Sequence, residues 1–334
     1  MSTQKSLSAK DALALADEAI ENGDKEKAQK YFEAVLVKYP ENEDAINGIR
    51  RLHPNNLYRS DLDELKDLFQ RKEFREVEVK CSVYLERFPD VQELHTMLGS
   101  VLGLKGDHVE ALHHFKKAAV LTPVNANVQF NLGNAFKKNG ENEMALKSFK
   151  QAINIEPAHV PALSNAGMIF MAEEKFDDAI DLFRAAARLM PNSAEVICNV
   201  ARALKAKGDY KMAILHYNRA IELDDRNAQI FLDLAMCEKL NGNPDEAQKI
   251  YQSIVLQDPQ NVVAHNSYGN FLKEIGEIDA AISHFEEAIK LEPNNPGPLN
   301  NLGSLYRDTD QPEKAEEFFE KAREKIRLIK SKIN

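Results

Sequence analysis

A motif that returns every 34 residues dominates this sequence of 334 residues. It consists of a small residue, an aromatic residue four positions later, and a small or apolar residue three positions after that. Its copies begin, with no residue inserted or lost between them, at Ala111, Ala145, Ala179, Ala213, Ala247, Ala281 and Ala315. Such self-similarity indicates a repeat protein, in which each copy must fold alike and pack against its neighbour.

Each copy is preceded by a second amphipathic stretch, clearest around Gly99, Gly133, Gly167, Gly269 and Gly303. Apolar residues in each stretch are three and four positions apart, which places them on one helical face. Between the stretches stand Gly106, Gly140, Gly208, Gly242 and Gly276. Most repeats close on a proline, at Pro123, Pro157, Pro191, Pro259 and Pro293. Each unit is therefore predicted to be a helix, a tight turn and a second helix.

These residues resemble the tetratricopeptide repeat (TPR). The resemblance covers nearly the whole chain and implies an all-α, right-handed superhelical solenoid of antiparallel helix pairs, about nine units long. The units are predicted at 9–42, 58–91, 92–125, 126–159, 160–193, 194–227, 228–261, 262–295 and 296–329. We expect a flexible tail at 1–8, a spacer or hinge at 43–57, and the end of a C-terminal capping helix at 330–334.

The departures from the repeat are informative. Unit 58–91 is degenerate, with Val77 and Cys81 where alanine and an aromatic residue are expected. In the spacer, a helical pattern is broken by the sequence HPNN at 53–56. The last helix is predicted to begin near Pro312 and to run on as a charged cap.

Composition narrows the function classes. A formal net charge of −10 disfavours general binding of nucleic acid or an anionic membrane, because both need a basic surface. Cys81, Cys198 and Cys237 lack the spacing of a redox or zinc site and are interpreted as reduced thiols. The polar N-terminus carries no signal-peptide pattern, and no run of 18 apolar residues occurs. A cytoplasmic protein without membrane insertion is predicted.

The resemblance implies that the concave groove is lined by positions 2, 5, 6, 9, 12 and 13 of each unit. Position 6 carries a ladder of polar side chains: Asn131, Asn165, Asn199, Asp233, Ser267 and Asn301. Position 9 adds Asn134 and Asn270. An amide both donates and accepts, so it can pair with the main chain of an extended peptide whatever the peptide's sequence. The row resembles the asparagine ladder of the O-linked N-acetylglucosamine transferases. The alternative is that these side chains only solvate the groove wall and cap neighbouring turns.

A basic stripe follows position 12, interrupted by Met171. Its members are Lys137, Lys205, Lys239, Lys273 and Arg307. A basic groove rim would favour acidic peptide segments. The alternative is that these cations pair with acidic residues of adjacent units, where surface ion pairs contribute little to stability.

Other activities have weaker support. Position 5 offers no basic residue, so the carboxylate clamp of TPR adaptors for chaperone tails is disfavoured. The histidines His108, His113 and His114 lack a completing metal ligand and are interpreted as surface residues of a second helix. His95 and His265 occupy a packing position. With no phosphate-binding loop or nucleophile elbow, we expect no catalytic residue, cofactor or metal.

The sequence thus predicts a non-enzymatic protein interaction module that binds an extended, preferentially acidic peptide in its groove. Two alternatives stay open. The layout of an isolated repeat, a spacer, a degenerate repeat and regular repeats resembles the substrate-recruiting arm of bacterial TPR sulfotransferases or glycosyltransferases. The chain could also assemble with itself into a homo-oligomer.

Overall fold

The computed structural model describes residues 8–52, 57 and 59–333. Within these ranges the chain forms 19 α-helices and no β-strand, which confirms the all-α fold class. The helices fall into two compact units, residues 1–123 and residues 124–334. No helix in the described ranges is both long enough and apolar enough to cross a membrane.

The first unit contains seven helices, which form two helical clusters with separate apolar cores. Their bounds are α1 Ala9–Glu21, α2 Lys25–Lys38, α3 Glu43–Leu52, α4 Arg59–Gln70, α5 Phe74–Arg87, α6 Gln92–Lys105 and α7 His108–Leu121. Helices α1 to α3 form the first cluster and α4 to α7 the second.

The segment expected to be a spacer begins with a helix of its own. Asn42 starts α3, because its side-chain oxygen accepts a hydrogen bond from the backbone N–H of Ala45 at 2.9 Å. Helix α3 packs on α1 and α2, and a Cβ added at Gly48 would lie 2.2 Å from the ring of Phe32. This part of the predicted hinge is therefore an ordered helix, whereas the proposed break at 53–56 lies outside the described residues.

The degenerate repeat has a smaller core than the regular ones, but the positions that depart from the motif are buried. Val77 and Cys81, which replace the usual alanine and aromatic residue, are fully buried with Leu65. Leu65 stands where regular units have glycine, so it and Val77 are larger than the usual residues while Cys81 is smaller, and the three share one apolar core with α6.

The second unit continues the alternation of first and second helices. Its helices are α8 Ala126–Lys138, α9 Asn142–Ile155, α10 Val160–Ala172, α11 Phe176–Leu189, α12 Ala194–Lys207, α13 Tyr210–Leu223, α14 Ala228–Leu240, α15 Pro244–Gln257, α16 Val262–Glu274, α17 Ile278–Leu291, α18 Pro296–Asp308 and α19 Pro312–Ile333. Each second helix packs on its own first helix, and each one from α9 to α17 also packs on the next first helix, which produces a continuous core.

Close helix crossing explains the small residues of the motif. A Cβ at Gly133 would lie 2.5 Å from the Phe149 ring, and one at Gly167 would lie 2.6 Å from Phe183. Two units carry alanine at this position, and there the buried aromatic residue is tyrosine. The two pairs are Ala201 with Tyr217 and Ala235 with Tyr251.

The turn between paired helices always needs the left-handed backbone conformation. Gly106, Gly140, Gly208, Gly242 and Gly276 adopt it with φ between 79° and 89°. Gly23 adopts it in the first unit with φ 78°, and Lys72, Glu174 and Asp310 occupy the same place in the remaining units, with φ between 58° and 63°. Side chains with a Cβ are strained in this conformation, so these three turns are weak points of the repeat.

Candidate functional site

The predicted groove residues share one side of the second unit. We call this side, formed by α8, α10, α12, α14, α16 and α18, the first-helix face. Helices α10, α12, α14, α16 and α18 contact one another in succession. The six side chains at position 6 are all partly buried on this face. The backbone register of the repeat therefore brings the predicted ladder together.

Amide side chains bridge neighbouring first helices at two places, which we call the amide rungs. Asn165 donates from Nδ2 to Oδ1 of Asn134 at 2.8 Å. Asn301 donates from Nδ2 to Oδ1 of Asn266 at 2.9 Å. Asn266, at position 5, was not among the predicted site residues, although its place in the repeat could have identified it.

Ion pairs also bridge neighbouring first helices, from α12 to α18, and we call them the ionic rungs. Lys205 donates to Asp233 at 2.5 Å, and Lys239 donates to Glu274 at 2.6 Å. Lys273 pairs with Asp308 at 2.6 Å, and its hydrogen bond holds the pKa of that carboxyl below its ordinary value. Three of the five predicted basic residues thus pair with acidic residues of the next unit, as the alternative interpretation of the stripe expected.

The remaining members of the predicted site differ in their contacts. The side chains of Asn131, Asn199, Ser267 and Asn270 make no hydrogen bond to the described part of the chain. Lys137 is exposed and forms no ion pair with any described residue. Arg307 lies 3.7 Å from Asp308 and also covers the ring of Phe319. Polar capacity for a ligand is therefore concentrated in the uncharged members of the ladder.

A cleft of about 190 Å³ opens on the first-helix face between α12, α14 and α16. The cleft is lined by five predicted residues, Lys205, Asp233, Lys239, Ser267 and Asn270, and by Gln229, Leu232, Met236, Tyr251, Val263, Phe271 and Glu274. The apolar members were not among the predicted site residues, because an apolar residue at these positions does not differ from a core residue in the sequence. Positions 2, 5 and 9 of the repeat already contained Val263, Leu232 and Met236.

Two histidine pairs have the same geometry in units that are five repeats apart. The Nδ1 atoms of His95 and His114 are 2.9 Å apart, as are those of His265 and His284. His95 Nε2 lies 2.9 Å from the carbonyl oxygen of Pro89, and His265 Nε2 lies 3.1 Å from that of Pro259. In the neutral pair the first histidine therefore donates from Nε2 and accepts at Nδ1. His95 and His265 are packing residues, as predicted.

Burial sets the protonation of the second histidine in each pair, His114 and His284. Desolvation, aided by His95 and His113, lowers the pKa of His114 to about 4. Desolvation also lowers the pKa of His284. His114 was expected to be a surface residue, which is wrong, because its ring is half-buried against His95. No group of three metal-ligating side chains occurs among the residues that the structure describes.

The three cysteines are buried free thiols. Burial raises the pKa of Cys81 to about 12 and those of Cys198 and Cys237 to about 11. They are therefore protonated at neutral pH, and their free state agrees with the prediction of reduced thiols.

Five family models described as tetratricopeptide repeat or TPR repeat match the chain. They match residues 13–48, 99–140, 126–159, 160–226, 204–267, 269–309 and 297–323. No curated protein sequence matches the chain significantly.

Solved structures of the same architecture share the fold at low sequence identity. A tetratricopeptide repeat protein from Parabacteroides merdae is 19% identical, with a TM-score of 0.62 over 73% of this chain and 99% of its own. The C-terminal part of a TPR repeat-containing protein from Cytophaga hutchinsonii is 14% identical, with a TM-score of 0.59 over 72% of this chain and 99% of its own.

A third structure, pilF of Pseudomonas aeruginosa, is 21% identical, with a TM-score of 0.54 over 64% of this chain and 96% of its own. The helix pairs, the 34-residue register and the family matches agree. The chain therefore belongs to the tetratricopeptide-repeat superfamily, whose members are protein interaction scaffolds.

Proposed function

We propose that the first-helix face of residues 124–333 binds an extended peptide segment of a partner protein and pairs with its main chain. The observation that carries this proposal is the row of partly buried polar side chains at position 6. Within that row, Asn131 and Asn199 have no hydrogen-bond partner in the described part of the chain. A peptide main chain offers both the donors and the acceptors that these amides lack.

The amide rungs support the same ligand. The bond from Asn165 to Asn134 uses one of the two Nδ2 hydrogens of Asn165 and leaves both Nδ2 hydrogens of Asn134 for a ligand. A neutral hydrogen bond contributes a net ~0.5–1.5 kcal/mol, so a rung can exchange partners with a peptide at little cost. The rungs are therefore suited to sequence-independent contacts.

The ionic rungs change the expected charge of the ligand. Lys205, Lys239 and Lys273 already have carboxylate partners. Lys137, on α8, is the exposed basic residue of the stripe that has no ion pair with a described residue. We expect a preference for an acidic ligand residue near α8 and little such preference from α12 onward.

Selection from a random peptide display library tests the proposal. The natural chain is compared with a variant that carries Asn131→Ala, Asn165→Ala and Asn199→Ala. A matched control carries three alanines at exposed asparagines of second helices, namely Asn142, Asn154 and Asn218. Circular dichroism and thermal unfolding establish that all three proteins fold.

The natural chain and the matched control should enrich the same peptides, and the ladder variant should lose them. Equal enrichment by the ladder variant and the control would contradict main-chain binding by the ladder. The peptide-binding site would then have to lie on another face of the protein.

A further inference from the structure

The cleft between α12, α14 and α16 has an apolar floor. Leu232, Tyr251 and Phe271 form it, and each is at least nine-tenths buried. At the mouth, Met236 is 37% exposed and Val263 is 56% exposed. Apolar side chains thus extend from the core to the surface at this point, where they can contact a ligand.

Paired charges form the walls of the cleft. On one side Asp233 accepts hydrogen bonds from Lys205 and from Arg202, which does not line the cleft, and on the other side Lys239 pairs with Glu274. A ligand carboxylate would have to approach Asp233 and Glu274, and a ligand cation would approach the two lysines. Either charge would also lose water without gaining an unpaired counterion. The cleft therefore disfavours a charged group.

Uncharged polar groups stand around the apolar floor. The side chains of Ser267 and Asn270, on α16, form no hydrogen bond with described residues, and the exposed Gln229 on α14 is in the same situation. Such groups can hold the main chain of a peptide on either side of an inserted side chain. An apolar floor with polar groups at its rim is the arrangement expected for a peptide side chain.

The size of the cleft sets the size of its occupant. A volume of about 190 Å³ compares with the ~150 Å³ apolar cavity that accepts benzene. A single leucine, methionine or phenylalanine side chain fits this space. Methionine at the mouth adapts to either shape, because its unbranched side chain fills irregular gaps.

We propose that this cleft is the anchor subsite for one uncharged, apolar side chain of the peptide bound on the first-helix face. The inference rests on the proposed function and names its ligand class: a neutral segment with a leucine, methionine or phenylalanine residue. Specificity in this region then comes from an apolar side chain, and the ladder supplies contacts to the main chain.

Methyl NMR of protein labelled at its methionine methyl groups tests the anchor directly. The probes are N-acetyl-leucinamide and N-acetyl-phenylalaninamide, with N-acetyl-aspartic acid α-amide, whose side-chain carboxylate is free, as the charged counterpart. The Met236 resonance, assigned with Met236→Leu, should shift saturably with the two apolar probes and not with the aspartate probe. Met168, which is exposed on α10 outside the cleft, serves as the internal reference.

Two variants fill the cleft from its rim, Ser267→Leu and Asn270→Leu. Either should abolish the shift of Met236, whereas Asn218→Leu on the exposed surface of α13 should retain it. Using two filling variants guards against one of them failing to fold. No shift at Met236, an equal shift at Met168, or an equal response to the aspartate probe would overturn the anchor.

Peptide display separates the two proposals. Selected peptides that share one apolar position, and lose it when selected against Ser267→Leu, would support the anchor. Peptides that bind through the ladder without a shared apolar position would overturn the anchor and leave the proposed function standing. Failure of the natural chain to select any peptide would overturn both.

Discussion

Two adjacent pairs of repeats, at residues 126–193 and 194–261, achieve the same close helix packing with different side chains. In the first pair, Gly133 and Gly167 lie against phenylalanine rings, and an amide rung joins α8 to α10. In the second, Ala201 and Ala235 accompany buried tyrosines, and an ionic rung joins α12 to α14. We call these regions the amide half and the ionic half.

The comparison separates what the fold requires from what the surface can vary. Both halves need a small residue beneath the second-helix aromatic residue, because the helices cross closely there. The rung on the surface is free to be neutral or charged. An amide rung keeps spare hydrogen-bond donors and acceptors for a ligand. In an ionic rung the two charges already neutralise each other. The two halves therefore offer a ligand different chemistry.

The largest expected effect comes from the closest contact in the amide half. Gly133→Ala should destabilise the protein by about 1–3 kcal/mol, because the new Cβ would overlap the ring of Phe149. The reciprocal change in the ionic half, Ala201→Gly, should cost about 1–2 kcal/mol, through helix propensity and the lost burial of the methyl group. Urea unfolding followed by circular dichroism measures both. A smaller loss for Gly133→Ala than for Ala201→Gly would break the comparison.

The second-largest effect on stability is expected at the turns between the paired helices. Glu174, in the amide half, holds the left-handed conformation at φ 58°, where the ionic half has Gly208. Glu174→Gly should raise stability by about 1 kcal/mol, because glycine adopts this conformation without the Cβ penalty. Gly208→Ala should lower stability by a similar amount. Thermal unfolding of the two variants checks the pair, and a loss of stability in Glu174→Gly would refute the strain.

The two rungs should differ in their response to salt. Double-mutant cycles with Lys205→Ala and Asp233→Ala, and with Asn134→Ala and Asn165→Ala, give a coupling energy for each rung. The ionic rung, whose side chains are 26% and 13% exposed, should couple by up to about 1 kcal/mol at low salt. Molar sodium chloride should weaken that coupling and leave the amide coupling unchanged. Equal salt dependence of the two coupling energies would contradict the distinction between ionic and amide rungs.

The smallest effect is a pH dependence confined to the ionic half. Desolvation, aided by Arg184, lowers the pKa of His216, and the amide half has Ser148 and Leu182 at the same repeat position. The unfolded chain takes up this proton below about pH 6.5 whereas the folded chain resists it, so stability is lost as pH falls through that value.

His216→Leu should therefore reduce the loss of stability between pH 7.5 and pH 5.5. The same slope contains contributions from His114 and His284, whose pKa values are also lowered. The difference between the natural chain and the variant isolates His216. An unchanged slope in urea unfolding at the two pH values would show that this imidazole titrates normally.

Much of the fold follows from the sequence because the repeat register is local information. Each second helix that precedes a closing proline ends two residues before it, as α7 ends at Leu121 before Pro123. The turn glycines lie where the backbone adopts the left-handed conformation. The left-handed conformation of Glu174 at such a turn was not predicted, because only a glycine at that position indicates it in the sequence. The location of the position-6 ladder was predictable for the same reason, because equivalent positions of a 34-residue repeat lie on the same face of successive first helices.

The contacts between side chains of different units were less predictable. The sequence left open whether Lys205 faces a ligand or Asp233, because this depends on the reach of a side chain from one helix to the next. The pairing of His95 with His114 also depends on how two helices cross. The apolar cleft escaped prediction since its floor combines Leu232 and Phe271 from different units, neither of which is distinctive alone.

The central claim is that the ladder binds a peptide main chain, and N-methylation of a selected peptide tests it most directly. Methyl groups on alternate backbone nitrogens remove donors while every side chain stays in place. The account predicts that affinity for the natural chain, measured by calorimetry, falls by at least about tenfold, equivalent to about 1.4 kcal/mol. Unchanged affinity of the methylated peptide would contradict main-chain recognition by the first-helix face.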